Sequence, residues 1–218
     1  MTAFVEPEGW LVTRFVEGET PSVEHMRRPE MLVRVAAAQR AFHDGPPIRG
    51  SFDSFRVVET YRDTALARGG SMPSAYERAH EVAARIEGIR GGAAAKPCHN
   101  DLLNANFLWD DTRLCIVDWE YAGMGDPFFD LANFSINHEL DEVARRRLLE
   151  AYFGEIRAED TQGLELMRFM SDFREAMWGV VQTAVSELDF DFPAYASEHF
   201  DRLERTAAEP AFRAALEG

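Results

Sequence analysis

Lysine is almost absent from this sequence, and basic residues of both kinds are outnumbered. Of the 218 residues, 23 are lysine or arginine, with Lys96 as the single lysine, whereas 38 are acidic. The resulting net charge of −15 at pH 7 repels phosphate backbones. We therefore expect no nucleic-acid partner.

Cysteine and long apolar runs are also scarce. Cys98 and Cys115 are the two cysteines, and their spacing fits neither a disulfide framework nor a metal site. No apolar run approaches the roughly 18 residues of a membrane-spanning helix, and Met1–Glu6 is not typical of a signal peptide. These absences predict a cytoplasmic protein with reduced thiols and no membrane association.

The chain nevertheless carries enough apolar material for a folded core. Hydrophobic residues make up 46% of it and aromatic residues 11%, which is typical of a globular domain rather than a disordered chain. A length of 218 residues corresponds to one medium domain or to a large lobe of a bigger protein.

The sequence pattern predicts mostly helix around one central hairpin. Residues 1–18 are typical of strand, with a turn at Glu6–Gly9 before the extended run Trp10–Val16. Helical patterns follow between residues 21 and 95, among them a helix that Ser74–Glu77 would open as a capping box. Later helices are predicted over about 139–153, 161–186 and 193–207.

Two short apolar runs in the middle of the chain predict the β-hairpin. They are Asn106–Trp109 and Leu114–Val117, and the polar residues Asp110–Arg113 between them favour a turn. The turn tip is six residues from both Asn106 and Asp118. A hairpin folded there would set these two side chains opposite one another, within about 5 Å between α-carbons.

Asn106, Asp118 and the preceding Asp101 form a candidate catalytic group. A carboxylate and a carboxamide side by side are oxygen ligands suited to a hard cation such as Mg²⁺, and a second carboxylate can accept or orient the proton of an alcohol. Phosphoryl transfer needs this combination. The alternative is a polar turn with two solvated aspartates. The function is favoured over that alternative by a specific pattern. Residues 99–106 read H-x-D-x-x-x-x-N, and a hairpin and an apolar-apolar-Asp run follow them.

This segment resembles the catalytic loop and metal-binding aspartate of the kinase-like phosphotransferases. Within that superfamily the chain is most similar to choline/ethanolamine kinases, especially their bacterial members, and the resemblance runs from about residue 10 to about residue 205. The segments that carry it are Cys98–Asn106, Val117–Asp126, Phe129–Asn133, Met177–Gln182 and Phe190–Tyr195.

The resemblance implies roles for the residues around the loop. Asp101 would be the catalytic base or would orient the substrate hydroxyl, and His99 would brace the loop. Asn106 and Asp118 would hold Mg²⁺ on the nucleotide, and Asp130 would tie the loop to the next helix. The segment Phe15-Val16-Glu17 would be the hinge whose backbone meets adenine, so ATP and Mg²⁺ are the implied cofactors.

Three aromatic residues match positions that line the choline pocket in this family. They are Tyr121, Trp178 and Tyr195, and aromatic faces are what a quaternary ammonium needs because it has no N–H donors. Ordinary core packing is the competing interpretation for each, above all for Trp178 in its helix. Eukaryotic choline kinases often carry a second tryptophan where this chain has Glu175, and bacterial relatives usually have proline where it has Asn104.

The resemblance also implies an N-terminal lobe that this sequence cannot supply. Such a lobe has a five-stranded sheet, a glycine-rich loop and a strand lysine on the phosphates, yet nine residues precede Trp10 and Lys96 directly precedes the loop. We therefore expect an α+β, mostly α fold. It would be the C-terminal lobe of a protein-kinase-like fold, with residues 1–18 as a remnant of N-lobe strands and hinge and 19–218 as the helical lobe.

The expected function is ATP-dependent phosphorylation of the hydroxyl of a small amino alcohol such as choline or ethanolamine. Without the lysine and the glycine-rich loop, we expect turnover by this chain alone to be severely impaired. An aminoglycoside-type kinase and a non-catalytic substrate- or partner-binding fragment are the alternatives. An exposed strand edge at 10–16 predicts a homodimer or a missing N-lobe partner.

Overall fold

The computed structural model describes residues 3–7 and 10–218, and it is mostly helical. The longest helix in the described part of the chain is α7, Ala158–Val185, with 28 residues. The helices are α1 Val23–Met26, α2 Pro29–His43, α3 Ser54–Ala67, α4 Tyr76–Arg90, α5 Pro127–Asn137, α6 Glu142–Phe153, α7 Ala158–Val185, α8 Phe192–Ala208 and α9 Pro210–Glu217. In the described part of the chain, none of them is long and apolar enough to cross a membrane.

The strands are three residues long and pair as antiparallel ladders of two. The first ladder confirms strand structure at the start of the chain, although its second strand ends at Val12 rather than at the predicted Val16. Glu8 and Gly9 of the predicted turn lie outside the described residues. The strands are β1 Ala3–Val5, β2 Trp10–Val12, β3 Lys96–Cys98, β4 Phe107–Trp109, β5 Leu114–Ile116 and β6 Gly123–Gly125.

Helix α7 forms the centre of the molecule and packs against α3, α5, α8 and α9. Nineteen of its residues are buried, because neighbouring helices cover most of its circumference rather than one amphipathic stripe. At Gly179 the approach of α8 is close: an added Cβ would lie 3.0 Å from the ring of Tyr195 and from Ala196. A glycine here therefore lets α8 bring Tyr195 against α7.

The predicted capping box at the start of α4 does not form. The helix begins at Tyr76, its N-cap residue is Ala75, and no side chain caps it. Ser74 lies one residue before the N-cap position, so its hydroxyl is not placed to accept from the free N–H groups of the first turn. The segment contains the residue types of a capping box, but the helix starts one residue too late for Ser74 to cap it.

The pairing of β3 with β6 was not predicted from the sequence. Lys96 lies opposite Gly125, and Cys98 lies opposite Gly123. A Cβ at Gly123 would come within 3.0 Å of the backbone at residues 51–52. This ladder brings the chain that enters the 99–106 loop beside the chain that leaves the hairpin.

Candidate active site

Asp101 and Asn106 are brought together by the loop that joins β3 to β4. Residues 104–106 form a short 3₁₀ turn, which bends the chain back on itself. Nδ2 of Asn106 donates to the backbone oxygen of Asp101 at 2.8 Å and to its Oδ2 at 3.2 Å. Both residues are buried, and each has a relative exposure of 8%.

Asp130, at the start of α5, fixes the backbone of this loop. Its carboxylate is fully buried and accepts hydrogen bonds from the backbone N–H of His99 at 2.8 Å and of Asn100 at 2.6 Å. Asn100 has a φ of 67°, a left-handed conformation that asparagine tolerates better than most residues. These charge-assisted bonds hold the strained turn that precedes Asp101.

His43, the last residue of α2, completes this anchor. Nε2 of His43 lies 3.0 Å from Oδ2 of Asp130, and Nδ1 lies 2.7 Å from the hydroxyl of Tyr152. Because the carboxylate only accepts, Nε2 donates to it and Nδ1 accepts from the tyrosine. The helix pattern of α2 gave no signal for this role, since the partners of His43 are distant in the sequence.

His99 connects the loop to the hairpin. Its Nε2 lies 2.9 Å from the backbone oxygen of Val117, and its Nδ1 accepts from the backbone N–H of Asp101 at 3.2 Å. One ring nitrogen therefore donates and the other accepts, which is the arrangement of a neutral imidazole. The ring is also 4.6 Å from that of Trp119.

The hairpin is confirmed, but its register differs by one residue from the prediction. Phe107 pairs with Ile116, and the backbone N–H of Val117 donates to the oxygen of Asn106 at 3.0 Å. Val117, not Asp118, is thus opposite Asn106. Asp118 comes next with a left-handed φ of 63° and an exposed side chain.

Asn106 and Asp118 have the free oxygen atoms that a magnesium site requires. The amide nitrogen of Asn106 is occupied by Asp101, which leaves its Oδ1 available. Among the described residues, the Asp118 carboxylate has no hydrogen-bond partner. Hard oxygen donors suit Mg²⁺, which keeps several water ligands and is usually held by one or two protein groups. The donor set therefore fits the ion.

A second group of ligand-type side chains does not fit a metal ion. Atoms of His43, Cys98 and Asp130 lie within 4.8 Å of one another, and all three residues are buried. The carboxylate already accepts three hydrogen bonds. Burial raises the pKa of the Cys98 thiol well above its usual value, so the thiol stays protonated. This cluster supports the fold.

The three aromatic residues that match the choline pocket line one small cavity with the candidate base. This cavity, called the aromatic pocket below, has a volume of about 160 Å³. The rings of Trp178 and Tyr195 are 5.5 Å apart in an edge-to-face arrangement. The lining residues are Asp101, Leu103, Glu120, Tyr121, Arg174, Glu175, Trp178 and Tyr195.

Arg174 and Glu175 are the principal residues of the pocket that the sequence analysis missed or undervalued. Nη1 of Arg174 lies 2.5 Å from Oε1 of Glu175 and 3.4 Å from Oδ1 of Asp101. Its guanidinium carbon lies 4.5 Å above the ring of Tyr121. The hydroxyl of Tyr195 donates to Oε2 of Glu175 at 2.8 Å. The two buried charges thus connect the base to two of the aromatic residues.

Burial changes the acidity of the groups in this pocket. It raises the pKa of Asp101 above its ordinary value, although the adjacent guanidinium of Arg174 opposes the rise. Burial also raises the pKa of Tyr121 to about 12, so its phenol is neutral. A carboxyl with a raised pKa accepts a proton more readily than an exposed one, which suits a general base.

The segment Phe15-Val16-Glu17 lies on a strongly exposed part of the chain. Phe15 is 85% exposed. Just beyond it, the backbone of Glu19 exchanges two hydrogen bonds with Trp109 of β4, at 3.0 and 2.9 Å. Gly18 has a φ of 147° and no Cβ, which permits this close approach to Trp109. The segment is thereby attached to the hairpin that carries Asn106 and Asp118.

Comparison with known families identifies the class of protein. The model of the phosphotransferase enzyme family matches residues 4–168, which is most of the chain. The chain therefore belongs to the phosphotransferase enzyme family. This match confirms the kinase-like superfamily that the loop motif indicated.

Individual relatives narrow the resemblance. Over 103 residues the chain is 35% identical to protein LicA of Haemophilus influenzae, covering 45% of this chain and 39% of LicA. Over 223 residues it is 25% identical to the probable choline kinase 3 of Arabidopsis thaliana, covering 88% of this chain and 64% of the kinase. The chain thus spans less than two thirds of these curated relatives.

A comparison with a solved structure gives the same result as the two sequence comparisons. The choline/ethanolamine kinase family protein of Mesorhizobium loti superposes with a TM-score of 0.89 at 29% identity, covering 99% of this chain and 76% of that one. The kinase-like fold and the similarity to choline/ethanolamine kinases are therefore established on both sequence and structure.

Proposed function

We propose that this protein is an ATP-dependent kinase that phosphorylates the hydroxyl of a small amino alcohol such as choline or ethanolamine. In this reaction the alcohol oxygen forms a bond to the γ-phosphorus, and the bond from that phosphorus to the ADP oxygen breaks. The hydroxyl proton passes to the carboxylate of Asp101. The products are a phosphate ester and ADP.

The observation that carries this proposal is the position of Asp101 between two different environments. On one side its carboxylate accepts a hydrogen bond from the amide of Asn106, the residue that directly precedes strand β4 of the hairpin. On the other side it lines the aromatic pocket with Tyr121 and Trp178. An alcohol bound in this pocket through its amine would present its hydroxyl to the base.

We assign the nucleotide side of the site to the hairpin and the hinge. Asn106 and Asp118 would hold Mg²⁺, which when bound neutralises charge on the phosphates. The backbone of Phe15-Val16-Glu17 would meet adenine. Residues 19–218 would form the catalytic lobe and 1–18 the edge of the nucleotide lobe, in a cytoplasmic enzyme.

An aminoglycoside-type kinase is the second candidate, because such enzymes share the loop motif and acid-rich pockets. Three carboxylates line the aromatic pocket, those of Asp101, Glu120 and Glu175. Its volume of about 160 Å³ is nevertheless below the roughly 300–1,000 Å³ of sites for drug-sized ligands. The size favours a small amino alcohol. A non-catalytic binding fragment is the third candidate, and it predicts ligand binding without ester formation.

The decisive experiment incubates the protein with Mg-ATP and choline, ethanolamine or an aminoglycoside, and follows the phosphate ester by ³¹P NMR. We expect slow formation of the ester from an amino alcohol, at a rate that the Asp101→Asn change lowers at least a hundredfold. Ester from the aminoglycoside alone would support the second candidate. Absence of ester with any alcohol, despite binding, would support the third.

The hairpin offers a matched control for the metal ligand. Asp111 and Asp118 are both exposed aspartates with left-handed φ values of 68° and 63°, a conformation that asparagine tolerates. Asp118→Asn is expected to weaken Mg-dependent nucleotide binding at least tenfold, and Asp111→Asn to leave it within twofold. Equal effects of the two changes would remove Asp118 from the metal site.

A further inference from the structure

We propose that the aromatic pocket selects amines that carry N–H groups over quaternary ammonium ions, and that the buried pair of Arg174 and Glu175 makes this selection. The inference rests on the proposed amino-alcohol kinase activity and narrows its substrate class. Three observations lead to it. A cation of the protein covers one aromatic face of the pocket, two of the aromatic rings contact each other, and carboxylate oxygens of the pocket can accept further hydrogen bonds.

One face of Tyr121 is occupied by a cation of the protein itself. The guanidinium of Arg174 lies 4.5 Å above the ring, and its side chain is 2% exposed. Its contacts with Glu175 and Asp101 fix it there. A ring attracts a cation through its negative face, so a quaternary ammonium at this face would have to displace Arg174 or approach a like charge.

The other two rings are engaged as well. Trp178 contacts Tyr195 edge-to-face at an interplanar angle of 70°. Tyr195 lies 4.4 Å from the ring of His199 on α8, and its hydroxyl is bonded to Glu175. An aromatic cage for a methylated cation needs several free faces around one point. In this pocket two of the three rings contact each other, and Arg174 covers one face of the third.

Carboxylate oxygens provide the alternative means of recognition. Each oxygen of Glu175 accepts one hydrogen bond, from Arg174 or from Tyr195, and each can accept a second. Glu120 lines the same pocket. An amine with N–H groups can donate to these oxygens, whereas N-methyl groups cannot. Loss of one such charge-assisted bond weakens binding by about tenfold to a hundredfold.

A graded ligand series tests the selection without changing the protein. The series is 2-aminoethanol, its N-methyl and N,N-dimethyl derivatives, and choline, which share one hydroxyl and lose one N–H at each step. Isothermal titration of the full 218-residue chain is expected to show affinity falling along the series. A ratio above fivefold between 2-aminoethanol and choline supports the inference, and an equal or smaller ratio overturns it.

Two variants test which residues are responsible. Glu175→Gln keeps the size of the side chain and is expected to weaken 2-aminoethanol at least fivefold and choline less than twofold. Arg174→Met together with Glu175→Gln also frees the Tyr121 ring and is expected to move the preference toward choline. Glu198→Gln, an exposed change of the same type on α8, should alter neither ligand. Equal losses for all four ligands in Glu175→Gln would overturn the assignment.

The result separates the inference from the function on which it rests. If choline binds as tightly as 2-aminoethanol, or more tightly, the selection is refuted and the proposed kinase activity stands. If none of the four amines binds and none is phosphorylated, the proposed function itself fails. Because the series uses the unsubstituted protein, misfolding of a variant does not affect this decision.

Discussion

The anchor of the 99–106 loop is open to a direct test through Asp130→Asn. The carboxylate receives two backbone N–H groups, one on each oxygen, and the His43 ring shares Oδ2. An asparagine of the same shape has one oxygen and one NH₂ group. Whichever way the amide is turned, its NH₂ faces the N–H of His99 or of Asn100.

The cost of this change follows from the contacts that are lost. A hydrogen bond to a charged group contributes about 1.5–3 kcal/mol, and a buried donor without a partner costs about 1–3 kcal/mol. Removing a buried charge offsets part of this cost. We expect the free energy of unfolding to fall by about 3 kcal/mol, which lowers Tm by about 6–12 °C in a protein of this length.

Denaturant and thermal unfolding, followed by circular dichroism, measure the effect. Asp63→Asn is the control, because this carboxylate is 66% exposed and, among the described residues, pairs only with its neighbour Arg62. Its change should stay within about 0.5 kcal/mol. If Asp130→Asn costs no more than this control, the carboxylate does not hold the loop and the reasoning is wrong.

Two further predictions concern positions outside the pocket. Cys98 is fully buried, and burial raises its pKa. It should therefore react with a thiol reagent at pH 8 at least tenfold more slowly than the half-buried Cys115. In a Cys115→Ala variant Cys98 is the remaining thiol, and rapid reaction of that variant would refute the prediction. Gly123→Ala would bring a methyl group to 3.0 Å from the backbone at 51–52 and should cost about 1–3 kcal/mol of unfolding free energy, whereas Gly92→Ala, with open space around it, should cost less than about 1 kcal/mol.

The sequence was most informative where spacing is local. The pair Asp101 and Asn106 lies within one loop, and the apolar runs on either side of Asp110–Arg113 are sufficient to predict the hairpin. The register was wrong by one residue, because the number of residues that a turn takes up depends on its backbone angles. Asp111 takes a left-handed φ of 68°, and no side-chain pattern in the two strands reveals it.

Long-range partners could not be read in the same way. His43 lies 87 residues from Asp130, yet the two are bonded in the core. The strands Lys96–Cys98 and Gly123–Gly125 are too short to show an alternating pattern, and their pairing depends on the whole intervening hairpin. The two glycines of the second strand were the available signal, because glycine in a strand often marks a close approach of backbone.

The buried charged residues on α7 were the least predictable part of the site. They form two groups that differ in the residues they contact. Arg168 bonds Glu165 of its own helix and also Glu209, which precedes α9, so this group joins separate elements. Arg174 and Glu175 are neighbours in the same helix, and their hydrogen bonds outside it are with residues of the aromatic pocket.

A buried ion pair contributes little net stability, because desolvation offsets the attraction. The Arg174–Glu175 pair is therefore explained by what it contacts beyond itself: the candidate base Asp101, the ring of Tyr121 and the hydroxyl of Tyr195. All three lie in the aromatic pocket. If the pair were retained for folding, replacing it with Met and Gln would lower Tm without altering the order of amine affinities. Because these three partners of the pair outside α7 all line the pocket, we expect the larger effect on that order.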